Sequence, residues 1–269
     1  MARCDWKRPT SFPLSEGYRR IRITVAYDGV GFSGWQRQVC ARSVQEEMEK
    51  ALARMLKTPV TVHGSARTDT GVHALGQVAH FDIANQSVPI EAFGPALNQL
   101  LPHDIRVREP RLVDAAFHAR FTSISREYRF LIKEDAFFTP FDRNHVCKVR
   151  EFPPLELLNR YAACIVGTHD FSTFSASGDQ SHSRIRDIYT SGFAIEESQW
   201  GGLQMVYVIS GNAFLWHQVR SMVGTMLQLA SHGEPVEEFA RRLEAKDRFQ
   251  AGRTAPSGGL YLYRIEYDG

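Results

Sequence analysis

Residues 21–27, Ile-Arg-Ile-Thr-Val-Ala-Tyr, alternate apolar and polar side chains and predict a β-strand with one buried face. Further on, Ser43 and Glu46 have the spacing of a capping box. Val44, Met48, Leu52, Met55 and Leu56 behind them repeat as the buried stripe of a helix that Pro59 stops. Residues 60–64 and 77–83 are apolar and β-rich, and predict two strands able to pair across the 67–74 segment. A helix over 89–101 and a strand over 105–113 complete the order β-α-β-β-α-β. A strand over 126–133, a helix over 154–166, strands over 185–195 and 203–210, a helix over 214–229 and a strand over 260–267 repeat it.

The expected class is α+β: two ferredoxin-like, RRM-like halves joined into one mainly antiparallel sheet, with helices on one face and the other free for a ligand or RNA. The divisions expected are a flexible arm over 1–20, one half over 21–113 and a second over 114–269. The two halves share an order of elements but no similarity that marks a sequence repeat.

With 269 residues, 43% hydrophobic and 23% charged, the chain has the composition of a globular protein and is long enough for one large domain or two modest ones. Residues 1–20 carry arginines and prolines with no apolar core of signal-peptide length, and no later run has the length of a membrane span. A cytoplasmic protein without a membrane partner is therefore expected. Cys4, Cys40, Cys147 and Cys164 show no C-x-x-C and no histidines at zinc spacing, so neither a disulfide framework nor a metal site is expected. Net charge is only +2, which leaves nucleic-acid binding to local clusters such as Arg106/Arg108/Arg111, Arg126/Arg129 and Arg184/Arg186.

Candidate chemistry concentrates in Ser65-Ala66-Arg67-Thr68-Asp69-Thr70-Gly71-Val72-His73-Ala74. In an extended segment, side chains at i and i+2 point to the same side, so Arg67 and Asp69 can share one pocket mouth, with Gly71 permitting a tight turn behind them. The second anomaly is Arg220, set in a helix that is apolar around most of its circumference. A guanidinium there either reaches solvent along its stem or pairs with a carboxylate, and Asp69 is the partner expected. Gly29-Val30-Gly31-Phe32-Ser33-Gly34 satisfies G-x-G-x-x-G after a strand, but Trp35-Gln36-Arg37-Gln38 follows where a dinucleotide site needs a helix start.

Taken as Tyr27-Asp28-Gly29-x-x-Phe32-x-Gly34-Trp35-Gln36-Arg37-Gln38, the same stretch resembles the opening signature of the TruA family of tRNA pseudouridine synthases. The 65–74 segment is similar to that family's G-R-T-D-x-G-V-H-A pattern. Phe117-His118-Ala119-Arg120-Phe121, Arg126-x-Tyr128, His169-Asp170-Phe171-Ser172-x-Phe174, His217-Gln218-Val219-Arg220 and Gly259-Leu260-Tyr261-Leu262 follow in the family's order. The resemblance runs from about Ile21 to Tyr267. Two departures stand out: Ala66 occupies the usual glycine before the motif arginine, and Phe130 replaces a frequent tyrosine.

The resemblance implies isomerisation of uridine to pseudouridine in the anticodon stem-loop of tRNA (positions 38–40), in a catalytic cleft on the open sheet face, without cofactor or metal. It implies Asp69 as the catalytic carboxylate, whether as nucleophile or as base. Arg67 would fill the gap left by an extruded base, Tyr128 would stack on the uracil, Arg220 would hold Asp69, and Leu260 would line the base pocket. Arg184 and Arg186 are expected at RNA phosphates, and a homodimer with one tRNA bridging both subunits is implied. Two alternatives remain open: an RNA-binding protein of the same scaffold without catalysis, and a glycosidase, which would normally use two carboxylates.

Overall fold

The computed structural model describes residues 12–84 and 86–268, an α+β fold of mostly antiparallel strands. The expected N-terminal arm lies, for residues 1–11, outside the described residues, as does Cys4; Arg19 and Arg20 already belong to the first strand. The chain divides into two compact units. Among the described residues, one comprises 12–124 with 262–268 and the other 125–261.

In the first unit, β1 (Arg19–Tyr27) lies antiparallel between β3 (His73–Ile83) and β4 (Ile105–Val113), and β3 is bordered on its other side by β10 (Leu260–Tyr267). The expected strand over 60–64 shrinks to β2 (His63–Gly64), which pairs with His80 and Ala79 of β3. Helix α1 (Val44–Leu56) starts where the capping box places it, with the Ser43 hydroxyl accepting from the Glu46 N–H. It ends at Lys57, which takes a left-handed conformation before Pro59. Its Val44, Met48, Ala51 and Leu52 are buried, each of the larger side chains contributing about 1.5–3 kcal/mol. Helix α2 is shorter than expected: a 3-10 turn over Ile90–Ala92 precedes the α-helix Phe93–Leu100. A bidentate pair anchors the start of β1, since Arg20, only 4% exposed, donates to both Asp82 oxygens at 2.7 Å and to the Ala115 and Phe117 carbonyls.

The second unit is built on β5 (Ser123–Glu134), β7 (Gly167–Asp170), β8 (Ile185–Glu197) and β9 (Leu203–Gly211) in the order β5-β9-β8-β7, all antiparallel. The short β6 (Cys147–Val149) adds in parallel to β5. Helix α3 (Leu155–Ala163) packs on β8, on α4 (Gln218–Ser231) and on α5 (Val236–Glu244). Three of these elements, β6, β7 and α5, are additional to the expected order. Two are too short to show a period, while α5 shows buried Phe239 and Leu243 one turn apart, with Glu237 and Glu238 in its first turn.

The start of α4 differs from expectation by four residues. His217 has φ of 63°, the Leu215 N–H is taken by the Gln218 side chain and the Trp216 N–H by Asp179, so the chain turns through 214–217 before becoming helical. Trp216 accordingly does not share a helical face with Arg220. Elsewhere in the unit, Lys133 and Asp142 are both fully buried and paired at 2.8 Å, and Thr139 donates to the same carboxylate oxygen through both its N–H and its hydroxyl. Removing one member strands a buried charge. Lys133→Met is therefore expected to lower the unfolding free energy in a urea titration by about 3–5 kcal/mol, and a loss below about 1 kcal/mol would contradict this account of the pair.

Candidate active site

The loop 65–72 owes its shape to groups on both sides of it. Gln77, fully buried in β3, turns its side-chain amide onto Ala66: Nε2 donates to the Ala66 carbonyl at 2.7 Å, and Oε1 accepts the Ala66 N–H at 3.2 Å. An amide that meets both polar groups of one residue does the work of a missing strand partner. Two residues on, the Tyr27 hydroxyl and the Thr68 hydroxyl are hydrogen-bonded at 2.7 Å in a buried setting, and the Trp35 N–H donates to the Thr68 carbonyl. Arg67, between these two fixed points, is exposed; Asp69, just beyond them, is half-buried. The Asp69 carbonyl accepts the Val72 N–H across a turn in which Gly71 takes φ of 76°. The glycine expectation at that position holds for the reason given. Ala66 is not among the residues of positive φ, so its Cβ is tolerated at that position.

The glycines of the apparent dinucleotide motif serve this loop. A Cβ on Gly29 would stand 2.2 Å from the Val72 carbonyl oxygen, and one on Gly34, at φ 89°, would stand 2.3 Å from that of Thr68. Both are required so that the 28–35 segment can lie directly against 68–72, and the Gly71 N–H donates to Phe32 across the same contact. His73 completes the base of the loop, with its Nδ1 accepting from the Gly29 N–H.

The remaining expected site residues lie in the second unit. Tyr128 is a buried residue of β5, opposite Ile209, and meets the Phe214 ring edge-on at 5.1 Å. Arg220 is half-buried in the first turn of α4: its Nε donates to the Ala255 carbonyl at 2.8 Å, while the Ala255 N–H donates back to the Arg220 carbonyl at 3.0 Å. That approach depends on Gly224, where a Cβ would overlap the Arg253 carbonyl oxygen at 1.8 Å. Leu260, also buried, opens β10 behind Gly259, which presses on the ring of Phe130. Arg184 is committed to Asp179, to which it is ion-paired, and Arg186 Nη1 donates to the Ser183 and Ile185 carbonyls.

A histidine cluster lies in the same unit as the 65–72 loop. The His80 ring, 1% exposed, stacks on His63 at 5.0 Å and meets His118 edge-on at 4.7 Å. His80 Nδ1 accepts from the Ala119 N–H, and His118 Nδ1 from the Arg120 N–H. Burial first, then the charges of His118, His63 and Arg20, pushes the His80 pKa down to about 2. Burial first, then His63, Arg20 and Arg120, pushes that of His118 down to about 4.

A family model described as tRNA pseudouridine synthase matches residues 23–122 and 162–268. The tRNA pseudouridine synthase A of Treponema denticola is 41% identical over 259 residues, covering 94% of this chain and 95% of its own. That of Bacillus pumilus is 41% identical over 251 residues, covering 93% and 99%, and that of Streptococcus pneumoniae 42% over 253 residues, again covering 93% and 99%. The chain belongs to the tRNA pseudouridine synthase family.

Sequence patterns alone did not single out Gln77, Tyr27 or Trp35 as supports of the loop. The available signal was Gln77 itself, a polar residue on the strand face that it shares with Ala79, Phe81 and Ile83. Gln77→Leu leaves the Ala66 N–H and C=O buried without partners, and is expected to cost about 1–3 kcal/mol for each group in a denaturant titration; an unchanged midpoint would contradict the role assigned to the amide. For the histidines the sign is fixed by pKa values lower in the folded than in the unfolded chain. Stability is complete above about pH 6.5, where the unfolded imidazoles are neutral, and falls as the pH drops towards 4, because only the unfolded chain takes up protons. Thermal melts between pH 7 and pH 4.5 should show this fall, with a shallower slope in His80→Gln, which keeps an acceptor for Ala119. Equal slopes in the two proteins would contradict it.

Proposed function

We propose that this protein isomerises uridine to pseudouridine in tRNA, with Asp69 as its catalytic carboxylate and the 3′ side of the anticodon stem-loop as its target. The observation that carries the reading is Asp69 itself: it follows two backbone positions held by buried hydrogen bonds, in a chain about 41% identical to named tRNA pseudouridine synthases over nearly its whole length. The reaction breaks the N1–C1′ bond, turns the base and joins C5 to C1′, while the C5 proton leaves and N1 takes up a proton. It is redox-neutral and loses no group, which is why no cofactor or metal enters the proposal.

A carboxylate serves this chemistry in any of three ways: attack on the sugar, attack on the base, or removal of the C2′ proton. Each requires it charged, and Arg220 is the cation proposed to hold it so. The target uridine has to leave its stack, and the exposed Arg67, on its fixed backbone, is proposed to take its place there. Tyr128 is proposed to stack on the uracil and Leu260 to line the pocket around it. Arg186 and, with its charge already matched by Asp179, Arg184 are proposed to lie beside the RNA backbone. A cytoplasmic homodimer with one tRNA bridging both subunits is proposed with them; no helix among the described residues is long and apolar enough to cross a membrane.

Asp69→Asn keeps the shape of the side chain and removes its charge. With tRNA tritiated at uridine C5, the wild-type protein should release tritium, and Asp69→Asn should release at least about a thousandfold less, a barrier increase of about 4 kcal/mol, while still retaining tRNA on a filter. Turnover within about tenfold of wild type would overturn the assignment. Free uracil as a product would replace it with a glycosidase, and retention of tRNA without tritium release by the wild type would replace it with a non-catalytic binder.

A further inference from the structure

One carboxylate ties the loop 175–184 to the residues just ahead of α4. The Asp179 side chain, 3% exposed, is ion-paired with Arg184, accepts the Ser181 N–H at 2.7 Å, and through its second oxygen accepts the Trp216 N–H at 2.6 Å. The Trp216 carbonyl in turn accepts the Ala176 N–H at 2.9 Å. Both backbone polar groups of Trp216 are thus fixed to the same loop. Its indole lies against Gly178, where a Cβ would come within 2.8 Å of the ring, and inclines towards the His217 ring at 5.0 Å. Despite these constraints Trp216 remains 48% exposed.

An indole held this way has lost most of its freedom before anything binds, so a flat partner meeting its open face adds little ordering cost. Arg184 and Arg186 lie in or beside the loop that holds it, and α4 begins two residues later. In a tRNA-modifying enzyme the flat partner supplied by the substrate is a nucleobase. We propose that Trp216 is a base-stacking contact for tRNA, receiving an unpaired or splayed nucleobase, and that the Asp179–Arg184 pair is the brace that aims it. This rests on the function proposed above and adds a binding residue outside the set implied by the family resemblance.

The test compares wild type, Trp216→Ala and Trp216→Phe in steady-state tritium release, with tRNA quenching of tryptophan emission as a second readout. Trp216→Ala should raise KM for tRNA about 5- to 150-fold, the range expected for one stacked base, with kcat within about twofold of wild type. Trp216→Phe should recover most of that loss. The quench seen in wild type should be reduced in Trp216→Phe and unchanged in Trp200→Phe, which removes another exposed tryptophan. A KM for Trp216→Ala within about twofold of wild type, or a full quench in folded Trp216→Phe, overturns the proposal. Should the wild type release no tritium, the proposed reaction fails while the quench still reports on the indole, so the two ideas fail separately.

Discussion

The side-chain amide of Gln77 meeting both backbone polar groups of Ala66 is the constraint on which the candidate site depends. A loop carrying an arginine and a carboxylate would ordinarily sample many conformations, and the entropy of ordering it would then be charged against catalysis. Here the ordering is done during folding. Ala66 is held by Gln77, Thr68 by the Tyr27 hydroxyl and the Trp35 N–H, and Gly71 by Phe32. Arg67 lies between the first two of these fixed points and Asp69 just beyond the second, and they are the residues to which chemistry is assigned.

The same requirement explains a motif that points elsewhere. Gly29 and Gly34 read as part of a phosphate-binding loop, yet the structure uses them for close contact with the carbonyls of Val72 and Thr68. Gly224 and Gly259 play the corresponding role in the other unit, admitting Arg253 against α4 and Phe130 against the start of β10. At Gly29, Gly224 and Gly259 glycine serves for the Cβ that it lacks, whereas Gly34 needs both the missing Cβ and its φ of 89°.

Much of the fold was legible because it rests on period and caps. The alternation in β1, the capping box at Ser43 and Glu46 and the stripe of Val44, Met48 and Leu52 all mark elements that form as expected. What was not legible depended on side chains reaching across the chain. The four-residue delay of α4 follows from Gln218 and Asp179 taking N–H groups that a helix start leaves open, and no local pattern at 214–217 announces it. The strands β6 and β7 are too short to carry a period, whereas α5 carried one in Phe239 and Leu243. At the site, Arg67 and Asp69 were visible as a motif, while their supports were visible only as one misplaced-looking polar residue, Gln77.

The central claim is that the carboxylate of Asp69 acts on the target nucleoside while Arg220 keeps it charged. The most direct measurement is a crystal structure of the protein with tRNA carrying 5-fluorouridine, whose C5 fluorine cannot leave as a proton and so arrests the reaction before completion. The account predicts the fluorinated nucleotide out of its stack, with an Asp69 oxygen bonded to it or within hydrogen-bond distance and the Arg220 guanidinium on the same carboxylate. A fluorinated nucleotide out of reach of Asp69, or an Asp69 carboxylate without Arg220 beside it, would contradict it.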